Sequence, residues 1–478
     1  MSKNLLPKQR QDLEAVPFLD DHNSLSYPLR FRYIVEACEA PQRMDRELLN
    51  ETLRTLFASH DLLRAHVFED QSVKKVFITP LIPEEPVQWI DLASSSEMEQ
   101  QNAIRETMHS VYDSFLREDG FLCRFLYFDM GERTQGLFVT VVHHVLADGY
   151  SMRILSQDIQ HVYLQLCACK PPSIIKTASF NAFAARLQKY LHQEFPSELD
   201  YWRSLRPAVK PFRVDYPENR LVDPHTGGTL VRTSKPLRII SPLTEEETDT
   251  LLRALPAAKL HVEDILLAGV MWAMANRRGQ SGICLNSIHN GRTIFEDIDV
   301  SRTFGGIARS LWQYFQIDSD LSPEACLQSI IEQRKRIPRK GFGLSLAANY
   351  SEHQDPAWSR FCADEDKDIV QAIYFADNLL CNYLGKGVRS PVKKELFVPA
   401  DQKYQEMVLI PAEYEVKSLQ GTQKPCMLQS RTLIHENKLF LAWECDGTLY
   451  RTESLQALLE GQLYFIKSIV SSFLVRSF

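Results

Sequence analysis

The pattern of apolar and polar residues predicts that helices and strands alternate along this chain. Between Asp45 and Phe57 the apolar residues recur every three or four positions, which is typical of the buried face of a helix. The short run Ala65–Phe68 follows it and predicts a strand. Residues Leu137–Val145 (LFVTVVHHV) are rich in β-branched residues, which favours a buried strand. After a turn at 147–149 a further helix is predicted, with Leu155, Ile159, Val162 and Leu166 on its buried face.

The second half of the chain shows the same alternation. Ile265–Met274 predicts a buried helix and Ile283–His289 a strand. Ser322 followed by Pro323 is typical of a helix N-cap with proline at the first helical position. A last helix is predicted from about Glu453 to Val470. These elements indicate an α/β chain of mixed connectivity.

The best internal boundary is the proline pair Pro171 and Pro172. Two consecutive prolines stop the preceding helix, and a polar connection follows to about Ser179. The sequence therefore predicts two lobes of unequal size, an N-terminal lobe of residues 1–175 and a C-terminal lobe of residues 176–478.

Charge and composition exclude several classes of function. The 478 residues include 54 Lys and Arg against 61 Asp and Glu, and the formal charge of −7 disfavours a nucleic-acid partner. No stretch approaches the roughly 18 apolar residues of a membrane span, so a cytoplasmic protein without a membrane partner is expected. The phosphate-binding patterns GxGxxG and GxxxxGK[ST] are absent, as are HExxH and CxxC. We therefore expect no metal and no permanently bound cofactor.

The strongest chemical signal is HHVLADG, residues His143 to Gly149. Consecutive strand residues point to opposite faces, so His143 and His144 cannot both line one cavity. His144 is nearer the turn, and an imidazole suits the removal of a proton from an attacking amine or hydroxyl. Asp148 either holds a cation in place or caps the following helix, and Gly149 leaves room for a substrate to approach. An isolated strand histidine is more often a packed core residue, so the motif alone leaves both interpretations open.

Seven ordered segments resemble motifs of the condensation and epimerisation domains of nonribosomal peptide synthetases, in the chloramphenicol acetyltransferase-like superfamily. They are SHDLLRAHVF (59–68), DGFLCRFLYF (119–128), HHVLADG with its helix (143–163), Tyr201 with Trp202, NGRTIFEDIDVSRTFGG (290–306), IPRKGFG (337–343) and NYLG (382–385). The resemblance implies an α/β fold of two lobes that form a V-shaped pseudo-dimer around a central tunnel. Ile288 and Thr293 stand where epimerases of this family carry glutamates, so epimerisation is not expected.

The resemblance also implies the activity and the roles of further residues. It predicts an acyltransferase that joins an acyl group from a phosphopantetheine thioester to an amine, in nonribosomal-peptide or related secondary-metabolite biosynthesis, with His144 as the base. It implies an ion pair between Asp148 and Arg64, and it places Gly306 and Asn382 in the tunnel or substrate site. The thioester would arrive on an acyl or peptidyl carrier protein in trans, or on CoA, and the acceptor would be a small molecule.

Two alternatives stay open beside amide formation. The first is an ester-forming O-acyltransferase that uses acyl-CoA or a carrier-bound donor on a hydroxylated natural product. The second is a non-catalytic module that docks carrier proteins. The sequence contains no adenylation motif, no carrier serine and no GxSxG element, so we expect a freestanding enzyme that transfers the acyl group directly, without an acyl-enzyme.

Overall fold

The structure is a computed structural model that describes most of the chain. The described residues are 33–70, 73–116, 122–131, 136–209, 236–278, 282–318, 320–351, 379–386, 396–409, 428–447 and 450–476. Residues 119–121, which open the second motif segment, lie outside these ranges.

The described strands and helices alternate along the chain. The strands are β1 (Tyr33–Ala40), β2 (Ala65–Asp70), β3 (Val73–Ile78), β4 (Val87–Asp91), β5 (Cys123–Asp129), β6 (Gly136–His143), β7 (Pro236–Pro242), β8 (Gly282–His289), β9 (Arg309–Gln316), β10 (Leu379–Lys386), β11 (Val398–Pro399), β12 (Leu428–His435) and β13 (Lys438–Asp446). The helices are α1 (Arg46–Ser59), α2 (Glu97–Leu116), α3 (Gly149–Cys167), α4 (Phe180–Gln193), α5 (Leu199–Ser204), α6 (Arg206–Val209), α7 (Glu245–Ala258), α8 (Val262–Arg278), α9 (Pro323–Arg336), α10 (Phe342–Ser351), α11 (Gln402–Val408) and α12 (Thr452–Arg476).

The chain divides into two compact units, each built from three segments. The first contains Met1–Gln188, Phe295–Ala308 and Arg389–Thr422, and the second contains Lys189–Ile294, Arg309–Val388 and Gln423–Phe478. The predicted lobes, residues 1–175 and 176–478, differ from these units in the position of the first boundary. They also differ in the two later segments that return to the first unit, because a single cut in the sequence cannot represent a chain that leaves and comes back.

The first unit is organised around a five-stranded mixed sheet in the order β11-β1-β6-β5-β4, in which only β4 and β5 are parallel. Every residue of β6 is buried, which explains its run of β-branched residues. Leu137, Val139 and Val141 pack in one core cluster with Met108 and Tyr112 of α2. Residues of β6 that point to the other face lie against α3. The central strand that leads to the histidine pair is therefore held on both sides.

The second unit contains a six-stranded mixed sheet in the order β7-β13-β12-β10-β8-β9. Its strands β8, β10 and β12 run parallel, whereas β9, β13 and β7 pair antiparallel with their neighbours. Helices α8 and α12 pack on each other and contribute the buried residues Leu267, Met271, Leu459 and Ile466. Both units thus combine mixed sheets with helices, and the predicted α/β class is confirmed.

Local sequence signals anticipated several of these elements. Asp45 caps α1 through the Leu48 N–H at 2.9 Å, and Ser322 caps α9 with Pro323 at its first position. The strand predicted to reach Val145 ends at His143, because the Leu146 N–H donates to the His143 carbonyl at 2.9 Å and closes a turn. Within the described ranges no helix combines the length and apolar character needed to cross a membrane.

Candidate active site

His143 is the last residue of β6, and its side chain is fixed. The residue is 2% exposed, and its Nδ1 accepts a hydrogen bond from the Val145 N–H at 3.0 Å. Its ring meets the Tyr33 ring edge-on, with centroids 4.8 Å apart. Because Nδ1 is an acceptor, the neutral ring carries its proton on Nε2. The first histidine of the pair therefore holds the turn that follows it.

His144 lies in that turn and is exposed. The strand has already ended at His143, whose side chain is buried. The structure thus buries His143 and exposes His144. Its role as the base stays a prediction.

Asp148 is the N-cap of α3 and is 5% exposed. One carboxylate oxygen accepts hydrogen bonds from the Ser151 N–H at 2.7 Å and the Ser151 hydroxyl at 2.9 Å. The other accepts from the backbone N–H of Ile307 at 3.0 Å and of Ala308 at 2.8 Å. A carboxylate at a helix N-terminus is stabilised by the helix dipole. Asp148 therefore caps the helix and also binds the returning segment Phe295–Ala308.

The returning segment approaches the histidine turn closely. The Ser151 hydroxyl lies 2.6 Å from the Gly305 carbonyl oxygen and 3.0 Å from the Gly305 nitrogen. A Cβ at Gly305 would lie 2.4 Å from the Phe180 ring, and one at Gly306 would lie 3.1 Å from the Val145 carbonyl oxygen. Gly306, predicted in the tunnel or substrate site, thus lies against the backbone of the histidine turn.

The structure does not bring Arg64 to Asp148. The Arg64 guanidinium donates to the carbonyl of Thr79 at 3.0 Å and to the carbonyl of Phe57. Among the ion pairs of the described residues, none joins Arg64 to Asp148. The predicted pair is corrected accordingly, because the Arg64 guanidinium is bound by backbone carbonyls of its own neighbourhood while Asp148 binds Ser151 and the N–H groups of 307 and 308.

A buried charged cluster was missed by sequence reasoning. Asp158 of α3 is 3% exposed, accepts from Arg302, and lies 3.0 Å from Nε2 of His60. Arg302 also donates to Oε1 of Gln157 at 3.0 Å. Two features of the sequence pointed to this cluster. His60 and Arg302 belong to two of the motif segments, and Asp158 is an acidic residue on the buried face of a predicted helix. This cluster ties the returning segment to α3 a second time.

Gly149 leaves open space next to the histidine turn. No atom lies within 4 Å of a Cβ built at this position, and its φ is not in the left-handed region. The glycine is therefore not required by the backbone, which is consistent with the predicted role of leaving room for a substrate.

A cavity in the first unit lies between the sheet and α3. It is lined by Glu36, Cys38 and Thr140 on the sheet and by Met152 and Ser156 on α3, among others. Burial raises the pKa of Glu36, and the nearby Arg153 opposes that rise. Burial also raises the pKa of Cys38 to about 12.

Asn382 belongs to the second unit, where it lines a cleft on the sheet. Its neighbours there include Ile288, at one of the epimerase glutamate positions, and His289. Thr293, at the second epimerase glutamate position, is exposed. Within the described ranges no group of three or more His, Cys, Asp or Glu side chains is arranged to hold a metal ion.

Residues 26–357 match the family described as Condensation domain. The chain belongs to this family. Membership confirms the predicted resemblance and implies transferase activity.

The curated relatives are peptide synthases that are much longer than this chain. A linear gramicidin synthase polypeptide of Brevibacillus parabrevis is 28% identical over 445 residues, which cover 88% of this chain and 8% of the synthase. Tyrocidine synthase 1 of the same species is 24% identical over 439 residues, which cover 90% of this chain and 38% of that protein. The chain thus spans well under half of either relative.

Solved structures share the fold at low sequence identity. The epimerization domain from the third module of a tyrocidine synthetase has a TM-score of 0.69 and 19% identity, with 98% of this chain and 97% of that chain covered. The first condensation domain of the calcium-dependent antibiotic synthetase has a TM-score of 0.56 and 16% identity, with 96% of each chain covered. These similarities confirm the predicted chloramphenicol acetyltransferase-like fold.

Proposed function

We propose that this chain is a condensation-type acyltransferase that joins an acyl group from a phosphopantetheine thioester to an amine. The observation that carries this proposal is the exposed His144 on a turn that His143 and Asp148 hold from both sides. Membership of the Condensation domain family and similarity to peptide synthases support amide formation in nonribosomal peptide synthesis.

In this reaction the amine nitrogen attacks the thioester carbonyl carbon while His144 orients the amine and takes its proton. The carbon–sulfur bond breaks, the thiol leaves with a proton, and an amide remains. Both substrates bind together, and orientation of this kind is worth up to about 7–11 kcal/mol of the barrier. The thioester carbonyl is already activated, so the amine attacks it directly, without an acyl-enzyme.

The residues around His144 then have supporting roles. The Val145 N–H bonded to His143 fixes the backbone on one side of His144. The hydrogen bonds that Asp148 accepts from Ser151, Ile307 and Ala308 fix the backbone on the other side. Gly149 leaves space through which a narrow phosphopantetheine arm reaches the base. A base held on a preorganised turn loses little entropy when it engages the substrate.

We expect the donor on a carrier protein, because the relatives that contain this region are multi-part peptide synthases of which it forms a small share. The acceptor is a small molecule with a free amine. Ester formation is the alternative outcome, since an imidazole deprotonates an alcohol by the same chemistry.

The decisive experiment offers the same acyl group as free acid with ATP, as acyl-CoA and as a carrier-bound thioester. Each donor is combined with a matched amine or alcohol acceptor, and product is measured by mass spectrometry. We expect amide from the carrier-bound thioester. Ester from CoA would favour the O-acyltransferase, product from free acid and ATP alone would contradict the proposal, and no product from any pair would favour a docking module.

The role of His144 is tested in the same assay. His144→Ala should lower turnover at least about 100-fold, the usual contribution of a general base. His161→Ala is the matched control, because it removes another exposed imidazole from the first unit. A His144→Ala enzyme that keeps more than about a tenth of parent turnover would exclude the base role.

A further inference from the structure

Ser151 lies in the first turn of α3 and is completely buried. It is the third helical residue after the N-cap Asp148, and its own N–H donates to that cap at 2.7 Å. A side chain at this position commonly bonds to the backbone of the N-cap. The Ser151 hydroxyl reaches Gly305 of the returning segment, which is far away along the chain. This serine therefore joins two distant parts of the first unit.

One hydroxyl engages both backbone groups of Gly305. The Ser151 oxygen accepts the Gly305 N–H at 3.0 Å and lies 2.6 Å from the Gly305 carbonyl oxygen. A carboxylate oxygen of Asp148 is a second acceptor within reach, at 2.9 Å. Because a hydroxyl has a single hydrogen, the shorter contact favours donation to Gly305. A side chain that donates and accepts at once is what this contact requires, and alanine can do neither.

The next residue, Gly306, carries this contact to the histidine turn. A Cβ at Gly306 would lie 3.1 Å from the Val145 carbonyl oxygen and 3.9 Å from the His144 carbonyl oxygen. The Ile307 N–H donates to the Gly305 carbonyl at 2.8 Å, which keeps the returning segment tightly turned here. A movement of Gly305 would therefore move the backbone against which the His144 and Val145 carbonyls lie.

Asp148 and Ser151 hold the returning segment at different points. Asp148 accepts the N–H groups of Ile307 and Ala308, which follow Gly306 in the chain. Ser151 binds the residue that precedes Gly306. With both contacts in place, the backbone of Gly306 is fixed on either side of its contact with the histidine turn.

We propose that Ser151 is a positioning residue for His144, because it holds Gly305 and so fixes the Gly306 backbone against the carbonyls of the histidine turn. Naming His144 as the group that is positioned rests on the proposed function, in which it is the base. The coupling itself rests on contacts within the first unit. A misplacement of about 1 Å can lower a reaction rate about 100-fold, so a small shift of this turn matters.

Thr303 offers a matched control on the same segment. It is also buried, and its hydroxyl donates to the Ala178 carbonyl at 2.6 Å, so it fixes the returning segment at Ala178 and not at the histidine turn. Ser151→Ala and Thr303→Val each remove one buried hydroxyl from the contacts that hold this segment. A purely structural role predicts the same effects for both variants, whereas positioning predicts that only Ser151→Ala affects the turn.

The first measurement is hydrogen exchange, resolved to single residues by mass spectrometry with fragmentation. The reporters are the N–H groups of Val145 and Leu146, which donate to Nδ1 and to the carbonyl of His143. We expect Ser151→Ala to speed the exchange of both at least about 5-fold, because the turn opens more often. Thr303→Val should leave both rates within about 2-fold of the parent.

The second measurement is kcat and KM in the donor assay of the proposed function, at a temperature at which circular dichroism shows all three proteins folded. Ser151→Ala should lower kcat about 10-fold and leave both KM values within about 2-fold of the parent, because the base is displaced and the binding contacts are not. Thr303→Val should keep kcat within about 2-fold of the parent.

Four results would overturn the proposal. Two concern exchange of Val145 and Leu146, which would be unchanged in Ser151→Ala or accelerated equally in Thr303→Val. Two concern turnover, which would be unchanged in Ser151→Ala or lowered equally in both variants. A parent without activity toward any donor would contradict the proposed function, while hydrogen exchange would still decide the coupling between Ser151 and the histidine turn.

Discussion

The carboxylate of Asp148 accepts a hydrogen bond from the backbone N–H of Ile307 at 3.0 Å, although the two residues are far apart in the chain. The same oxygen accepts the Ala308 N–H, and the other oxygen caps α3 through Ser151. The aspartate of HHVLADG thus joins the returning segment Phe295–Ala308 to the histidine turn. It binds the returning segment through backbone amides, and the expected pair with Arg64 does not form.

Substitution of Asp148 should lower the free energy of unfolding, and alanine should lower it more than asparagine does. Asp148→Ala removes the cap and leaves the N–H groups of Ile307 and Ala308 without their acceptor, at a cost of about 2–5 kcal/mol. Asp148→Asn keeps one acceptor oxygen and should lose about half as much. Urea unfolding measures both, and an Ala variant as stable as the parent would contradict this account.

The buried cluster around Asp158 should stabilise the first unit more than an exposed pair does. Asp158→Asn leaves the Arg302 guanidinium without its charged partner and should cost about 3 kcal/mol or more. The control is Asp297, which lies on the same returning segment and pairs with Arg186 of α4. Because Asp297 is exposed, Asp297→Asn should lower the free energy of unfolding by less than about 1 kcal/mol. Equal losses in urea unfolding would show that burial of Asp158 is unimportant.

Gly149→Leu should impair the use of the thioester donor while the fold stays intact. The Cβ position is clear and the helix gains from the loss of a glycine, so unfolding should change by no more than about 1 kcal/mol. The leucine side chain should raise KM for the phosphopantetheine donor at least tenfold. Gly149→Ala is the control, because it adds only a methyl group at the same position. An unchanged donor KM in the Leu variant would rule out an approach beside Gly149.

His289 should make the stability of the protein depend on pH below about 6.5. Burial lowers its folded-state pKa to about 4 from 6.5, so between these values the unfolded chain binds a proton that the folded chain does not. Stability therefore falls as pH falls through 6.5 and becomes independent of this group below 4. Lys340, Arg334 and Glu263 face the same ring and set this shift together with burial.

The measurement compares urea unfolding at pH 7.5 and 5.5 for the parent and His289→Gln, which does not titrate there. The parent should lose about 1 kcal/mol more than the variant over this interval. Equal losses of unfolding free energy would mean that His289 is protonated in the folded protein. A larger loss in the variant would mean that the folded-state pKa of His289 is raised and not lowered.

The thiols should differ in their rate of alkylation in the folded protein. Cys167 and Cys169 are exposed, whereas burial raises the pKa of Cys38, Cys123 and Cys381 to about 12. Iodoacetamide at pH 8 should therefore label the exposed pair first, since the thiolate is the reactive form. Peptide mass spectrometry reads the order, and denatured protein is the control. Rapid labelling of Cys38 would show that its cavity is open to solvent.

The sequence by itself determined the elements that carry the candidate site. The strand before His143, the helix after Asp148 and the cap at Ser322 follow from periodicity and capping, which depend on residues a few positions apart. The sequence predicted that only one histidine of the pair faces a substrate from the alternation of strand side chains, whereas His144 is exposed because the strand ends at His143 and the chain turns.

Only the tertiary structure decided which distant residues meet these elements. Arg64 bonds to the carbonyls of Phe57 and Thr79, while Asp148 binds 307 and 308, and no local pattern distinguishes these pairings from the expected ion pair. The return of Phe295–Ala308 to the first unit is equally invisible to periodicity. The physical reason is that a hydrogen bond depends on where the folded backbone brings its partner, and that position is set by packing along the whole chain.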